Sequence, residues 1–219
     1  MNKQQLLKTA TEALDELLHL PGGVLYSSHE TLQPGEVYYL GFNPGGEGGN
    51  PLRDDLTRML AQTENAFLDG EWAPAGIDRE PGDAPMQRRT VALLESLGFA
   101  VRDICASNLI FVQSKDYKGV EYSLADKCWP VHRTILDIVK PKLILCCGNS
   151  GVSAYGYLKR RFGGEESAAA SGHGNWSLKA FRAQIEGREC CVVGLPHMSR
   201  YEPRNKPQVI EWIRQVAKL

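Results

Sequence analysis

Two short segments combine glycine and proline with polar side chains that could do chemistry. The first reads Gly-Phe-Asn-Pro-Gly-Gly over residues 41–46, and the second reads Pro-His-Met-Ser-Arg-Tyr over residues 196–201. A glycine-rich loop can present backbone N–H groups and the short amide of Asn43 to a bound anion or base. A histidine such as His197 can donate a hydrogen bond to a developing negative charge. The two segments therefore predict a binding or catalytic site.

Each of these features also has a purely structural explanation. Asparagine, proline and glycine are the usual turn residues, so residues 41–46 form either a turn or a binding loop. His197 is either a donor in a site or a hydrogen-bonded structural histidine. Asn108 lies in an apolar run, and its amide is either satisfied by neighbours or kept for a ligand. Three other histidines lack any motif context and are predicted to be surface or core residues: His29, His132 and His173.

Apolar periodicity predicts the elements that position these segments. Helices are predicted over residues 3–18, 52–62, 86–97, 124–139, 150–161 and 209–216. Strands are predicted over residues 37–40, 106–112, 142–147, 181–185 and 189–193, and a turn at 186–188 makes the last two a hairpin. Pro130 predicts a kink or break in the fourth helix. Residues 70–85 and 168–174 are predicted to be loops, and the small residues of the second favour mobility.

Strands that alternate with helices predict a three-layer α/β/α fold with a mainly parallel central sheet. Ligands bind at the carboxyl ends of the strands in such folds, and both polar segments directly follow a predicted strand. The 219 residues are 42% hydrophobic and 23% charged, which is typical of a globular domain. Because no linker or repeat divides the chain, residues 1–219 are predicted to form a single domain.

Composition also limits the location and the cofactors. The chain has no run of 18 apolar residues and no basic, apolar leader, so we expect a cytoplasmic protein that does not enter a membrane. Its six cysteines include the adjacent pairs Cys146-Cys147 and Cys190-Cys191. Neighbouring strand residues point to opposite faces, and no C-x2-C spacing suits an iron–sulfur cluster. We therefore expect six reduced, mostly buried thiols, with no metal and no cofactor.

Four segments resemble the uracil-DNA glycosylase superfamily in their order and spacing. Residues 41–45 are similar to the first motif, Gly-x-Asn-Pro-Gly, of the single-strand-selective and mismatch-specific branches. Residues 197–201 are similar to the second motif, with Met198 where the family has proline. The strand that contains Asn108 and the segment 141–150 are similar to the regions between these motifs. The resemblance implies a uracil-DNA glycosylase-like fold.

The resemblance also implies a role for each motif residue. Asn43 would position the water that attacks the anomeric carbon of the sugar, and His197 would donate a hydrogen bond to O2 of the departing base. Asn108 would pair with the uracil edge beside Gly41. An aromatic side chain would stack on the base, with Phe42 as the first candidate and Phe67 or Trp72 as alternatives. The residues implied to contact DNA are Gly45, Gly46, Ser199, Arg200 and Tyr201.

These observations predict a monofunctional DNA glycosylase that hydrolyses the N-glycosidic bond of uracil, or of another deaminated base such as hypoxanthine or xanthine. No lysine stands where it could form a Schiff base, so lyase activity is not expected. The predicted partner is DNA that contains a deaminated base. Phosphate contacts would come from local basic residues: Arg88, Arg89, Lys115, Lys118, Arg200, Arg204 and Lys206.

Two other functions remain open at this stage. A non-catalytic protein of the same fold could bind nucleic acid or a protein partner. The net charge of −1 and the presence of Met198 favour that alternative, because DNA binding requires several neutralised phosphates. A nucleotide- or sugar-binding enzyme could use residues 148–151, Gly-Asn-Ser-Gly, as an anion loop.

Overall fold

A computed structural model describes residues 2–73 and 77–219 and contains six α-helices and one six-stranded sheet in that part of the chain. The helices are α1 (Lys3–Ala13), α2 (Leu52–Met59), α3 (Pro85–Ser96), α4 (Leu124–Val139), α5 (Ala154–Phe162) and α6 (Pro207–Ala217). The strands are β1 (Val37–Gly41), β2 (Cys105–Asn108), β3 (Leu143–Cys147), β4 (Glu166–Ala170), β5 (Ser177–Ile185) and β6 (Arg188–Leu195). No helix among the described residues has the length and apolar character needed to cross a membrane.

The sheet has the strand order β2-β1-β3-β6-β5-β4. The first four of these strands are parallel, whereas β5 and β4 are antiparallel to their neighbours. The predicted α/β class with a mainly parallel sheet is therefore confirmed. Because parallel strands end at the same edge, the segments that follow β2, β1, β3 and β6 meet along one carboxyl edge of the sheet.

Alternate residues of β1, β3 and β6 enter two separate core clusters, as the two-residue period of a strand requires. Tyr38 and Leu40 belong to the first cluster, which also contains buried residues of α1, α2, α4 and α5. Val37 and Tyr39 belong to the second, which contains buried residues of α3 and α6. In each adjacent cysteine pair, the first cysteine lies in the first cluster and the second cysteine lies in the second cluster. All six cysteines are free and buried. The expectation of reduced, buried thiols is confirmed.

Several predicted element boundaries are wrong. The first helix ends at Ala13 and the second at Met59, and β2 ends at Asn108 because the residues that follow it leave the regular ladder. Of the kink or break predicted at Pro130, the break does not occur, because α4 runs through Pro130 with ten buried residues. Burial of that many side chains outweighs the one helical hydrogen bond that proline removes.

Residues 168–170 were expected in a mobile loop but form part of β4. The five residues of β4, which are alanine, serine and glutamate, pair in antiparallel register with β5. This segment has little strand propensity of its own, so it forms a strand only because β5 provides a pairing partner. The predicted hairpin between β5 and β6 is confirmed, with Glu186 and Gly187 at its turn. Part of the loop predicted over residues 70–85 lies outside the described residues.

His132 is a buried structural histidine that connects three parts of the fold. Its Nε2 lies 3.0 Å from the carbonyl oxygen of Leu109, and its Nδ1 lies 2.8 Å from the Tyr38 hydroxyl. A carbonyl only accepts, so Nε2 carries the proton and Nδ1 accepts from Tyr38. Complete burial lowers the pKa of His132 to about 4. The folded protein therefore holds a neutral imidazole between α4, β1 and the segment after β2.

Acidification is expected to destabilise the protein through His132. The pKa of this histidine is lower in the folded state than the usual value near 6.5 in the unfolded chain. Its contribution to stability is therefore complete above pH ~6.5 and is lost as the pH falls towards ~4. Between pH 7 and pH 5 the loss is about 2 kcal/mol, which urea unfolding at the two pH values would measure.

The control is His132→Gln, which has a side chain that does not titrate. This variant should be less stable at pH 7, because the glutamine cannot reproduce both hydrogen bonds, but its pH 7 to pH 5 difference should be smaller by about 2 kcal/mol. All other titrating groups are common to the two proteins. An equal pH difference in both would show that His132 is not its source.

Candidate functional site

The carboxyl edge of the parallel strands brings the predicted site residues into one row. Asn108 ends β2 and pairs with Gly41 at the end of β1. Gly148 follows β3, and His197 lies two residues beyond the end of β6. A Cβ atom on Gly148 would lie 3.8 Å from Cδ2 of His197, so the histidine ring borders the middle of the row. With strands about 4.8 Å apart, the two motifs are separated by roughly 10 Å.

The amide of Asn43 is held in one orientation. Its Nδ2 donates towards the carbonyl oxygens of Pro44 and Val112, at 2.9 and 3.3 Å, and towards the Ser114 hydroxyl at 2.8 Å. Its Oδ1 has no hydrogen-bond partner among the described residues, and no unpaired side-chain oxygen there is buried. The oxygen is therefore a free acceptor that is not fully buried. An acceptor in this state can orient a water molecule, although an amide cannot deprotonate it strongly.

His197 is fixed as a neutral donor by its own loop. The backbone N–H of Ser199 lies 3.2 Å from Nδ1 of the histidine, and the Ser199 hydroxyl lies 2.8 Å from the same atom. A backbone N–H only donates, so Nδ1 is an acceptor and the proton of the neutral ring sits on Nε2. Desolvation, and then the charge of Arg200, lower the pKa of His197, although part of the residue stays exposed. The free Nε2–H can therefore donate to a ligand.

The loop that carries His197 is held from two sides. Arg89 on α3 donates from Nη1 to the carbonyl oxygens of Met198 and Ser199, at 3.0 and 2.8 Å. Its guanidinium also pairs with Glu202 at 3.4 Å. On the other side, Met198 is buried and its N–H donates to Cys147 Sγ at 3.4 Å. Arg89, predicted only as a local basic residue, is thus a positioning residue for the histidine.

The residues after His197 do not all face solvent. The N–H groups of Arg200 and Tyr201 both donate to the carbonyl oxygen of His197, which makes a tight turn. This turn directs Tyr201 inwards, where its ring is completely buried and its hydroxyl donates to Ser171 at 2.8 Å. The expectation that Tyr201 enters DNA is therefore wrong for this conformation. Ser199 and Arg200 are exposed, as are Gly45 and Gly46 in the first loop.

Asn108 is a buried amide beside Tyr26. The residue is 7% exposed, and a Cβ atom on Gly41 would lie 2.1 Å from its Oδ1. Tyr26 is adjacent: burial and the charge of Asp55 raise its pKa, while a hydrogen bond with the Asn108 side chain opposes the rise. One such bond uses only part of the hydrogen-bonding capacity of an amide, so the rest is available to a ligand.

The aromatic candidates lie on opposite faces of the sheet. Phe42 packs into the first core cluster, with its ring 5.9 Å from that of Tyr122. Gly41 and Asn108 point to the other face, where Tyr26 contacts Phe67 and Trp72 at ring distances of 6.4 and 6.3 Å. Phe42 therefore lies on the opposite face of the sheet from Asn108. The aromatic residues on the same face as Asn108 are the two alternatives, Phe67 and Trp72, together with Tyr26.

The anion loop considered over residues 148–151 is not supported. Asn149 Nδ2 donates to the carbonyl oxygens of Ser177 and Gly194, at 2.7 and 3.0 Å. The Ser150 hydroxyl donates to Val152 at 2.9 Å. Both side chains are thus committed to the protein. Within residues 2–73 and 77–219, no group of three or more histidine, cysteine or acidic side chains is arranged to hold a metal ion.

A depression of about 550 Å³ lies against the outer side of α3. Phe67, an alternative stacking residue, and the basic residues Arg88 and Arg204 line it, but Asn43, Asn108 and His197 do not. Both of its cations are paired with carboxylates, since Arg88 pairs with Asp83 and Arg204 pairs with Glu202. We therefore do not assign the chemistry to this depression.

No known protein-family model matches this chain, and no curated protein matches it in sequence. The resemblance to the uracil-DNA glycosylase superfamily therefore depends on the four short segments and on the groups that meet at the carboxyl edge.

Proposed function

We propose that this protein is a DNA glycosylase that hydrolyses the N-glycosidic bond of a deaminated base. One observation carries the proposal: three polar groups with free hydrogen-bonding capacity occupy one edge of the sheet. They are the acceptor Oδ1 of Asn43, the amide of Asn108 and the donor Nε2–H of His197. Their spacing leaves room for a flipped nucleotide between them.

In this proposal the base leaves with the electron pair of the C–N bond while water attacks the anomeric carbon. Asn43 accepts a hydrogen bond from that water and holds it at the carbon. His197 donates a hydrogen bond from its Nε2–H to O2 of the base as negative charge develops there. Asn108 offers both a donor and an acceptor, which match the O4 and N3–H of uracil. The hydroxyl of the water stays on the sugar carbon and its other proton passes through solvent to the departing base, so the products are a free base and an abasic site.

The sheet supports the same proposal at the level of the fold. Two core clusters on opposite sides of the strands, each with its own helices, are what a three-layer α/β/α domain requires. A glycosylase-like domain over residues 1–219 would keep its site at the carboxyl edge. We include this three-layer, uracil-DNA glycosylase-like arrangement in the proposal.

A second candidate is a binding protein of the same fold without catalysis. The net charge of −1 favours it, because few unpaired cations are available for DNA phosphates. The replacement of the motif proline by Met198 favours it as well. The two candidates differ in one result, because only the enzyme releases a base.

Base release from labelled oligonucleotides tests the proposal. Single-stranded and double-stranded substrates containing uracil, hypoxanthine or xanthine would be incubated with the protein and treated with alkali, which cleaves at abasic sites. Cleavage only after alkali would support a glycosylase without lyase activity and would identify its base. If a folded protein cleaves none of the six substrates at low salt, the enzyme proposal fails and the binding protein is preferred.

A further inference from the structure

Exposed apolar side chains gather at the same edge of the sheet as the candidate site. Five large hydrophobic residues of the described chain are exposed, and three of them are Tyr117 at 57%, Val152 at 46% and Trp176 at 38%. These three belong to three different loops at the carboxyl edge, and we call them together the edge surface. Two of the three are aromatic, and exposed aromatic rings beside a candidate site are available to stack on a planar ligand group.

Contacts with the site residues fix the position of each loop. The loop of Tyr117 begins at Ser114, which accepts from the Asn43 amide. Val152 lies in the loop that follows β3. The loop of Trp176 joins β4 to β5 and is tied to the second motif, because Ser171 accepts from the Tyr201 hydroxyl at 2.8 Å. The edge surface therefore runs past both motifs, over about four strand spacings or roughly 19 Å.

Trp176 is held in place although its ring is exposed. The backbone N–H of Trp176 donates to the carbonyl oxygen of His173 at 3.1 Å. The backbone carbonyl of Trp176 accepts from the N–H of Ser171 at 2.9 Å. The His173 ring lies 4.6 Å from the indole, and it also meets the Tyr201 ring edge-on at 6.4 Å. An aromatic ring fixed this way loses little entropy when a planar group stacks on it.

The charges around the edge surface suit a partner with few phosphate contacts. Lys118, Arg200 and Lys206 have no carboxylate within ion-pair distance among residues 2–73 and 77–219. Glu202 is neutralised by the guanidinium groups of two arginines, and Glu47 is near Lys115 at 4.0 Å. Stacking on exposed aromatic rings therefore has more to contribute to affinity than charge.

We propose that the edge surface binds single-stranded nucleic acid, with unpaired bases stacked on Tyr117 and Trp176 on either side of the site. This inference rests on the proposed function for its choice of nucleic acid. Bases in a duplex already stack on one another and present only their edges, so two separated aromatic rings select a single strand. The three unpaired cations would contact the flanking phosphates.

Binding of a fluorescein-labelled oligonucleotide without any deaminated base tests this proposal independently of catalysis. Fluorescence anisotropy should show tighter binding of the single strand than of the duplex of the same sequence. Trp176→Ala and Tyr117→Ala should each weaken single-strand binding about 5- to 150-fold, and Trp176→Phe should retain most of it. The slope of log K against log salt should be about −2, as expected for three phosphate contacts.

The matched control is Leu219→Ala, which removes another exposed apolar side chain, 41% exposed and beyond the end of α6. It should leave binding unchanged. Equal affinity for single strand and duplex, or unchanged binding in Trp176→Ala, would overturn the proposal. So would a change of sedimentation in Trp176→Ala without a change in binding, since the surface would then join two copies of the chain. Single-strand binding without base release would contradict the proposed glycosylase activity and leave the proposed single-strand binding supported.

Discussion

Replacing His197 with alanine should lower base excision about 10²- to 10³-fold, with little change in the melting temperature. In the proposed reaction the Nε2–H of this histidine is the donor aimed at the base oxygen, and loss of one comparable donor costs roughly 2.7 to 4 kcal/mol in other enzymes. The His197 ring is exposed and makes hydrogen bonds only to Ser199. Single-turnover excision kinetics, measured beside thermal melting, would give both quantities.

Ser199→Ala provides a matched control for this prediction. It removes the hydroxyl at 2.8 Å from Nδ1 but keeps the backbone N–H that makes Nδ1 an acceptor. The proton should therefore remain on Nε2, and the activity should fall much less than in His197→Ala. If His197→Ala lowers stability as strongly as it lowers activity, or if it leaves activity unchanged, the histidine is structural and the proposed role is wrong.

Replacing Gly41 with alanine should lower excision about 5- to 150-fold while the protein still folds. The new Cβ would lie 2.1 Å from Oδ1 of Asn108, which is impossible without movement. The atom that must move is the end of a side chain and not backbone, so Asn108 can rotate away. Its amide would then leave the position in which it meets the base, and one unmade buried hydrogen bond costs about 1–3 kcal/mol.

Two further variants separate this effect from general damage to β1. Asn108→Ala should reproduce the loss of activity, and the double variant should be no worse than either single one, because both remove the same contact. Gly35→Ala, just before β1, would place its Cβ in ordinary contact at 3.8 Å and should be close to wild type. Additive losses in the double variant would show that Gly41 does not act through Asn108.

The sequence predicted the parallel core of the fold because that core is encoded locally. Apolar runs such as 143–147 and the helical spacing of 124–139 are visible without knowledge of any partner. β4 could not be predicted in this way, since its alanines become a strand only through pairing with β5. The break expected at Pro130 failed for a similar reason, because packing of the whole helix overrides one local preference.

The candidate site was predictable where it lies in one short segment. Asn43 and His197 could be identified because each lies beside proline or glycine in a short segment that follows a predicted strand. Arg89 was not identified as a positioning residue, because it contacts Ser199 across 110 positions of the chain. A signal against Phe42 did exist, since it follows Gly41 directly and neighbouring strand residues point to opposite faces. Tyr201 gave no such signal, because its direction depends on the turn after His197.

Because all six cysteines are buried in the folded protein, their thiols can be oxidised only in molecules whose sheet has opened. Burial raises the pKa of all six thiols, so the folded chain offers almost no reactive thiolate. A molecule that opens exposes six thiols at once, including two neighbouring pairs, and disulfides formed then would prevent the sheet from closing again. Disulfide formation in air is slower than refolding of a typical domain, so the rate at which the protein is lost follows the equilibrium population of the open chain.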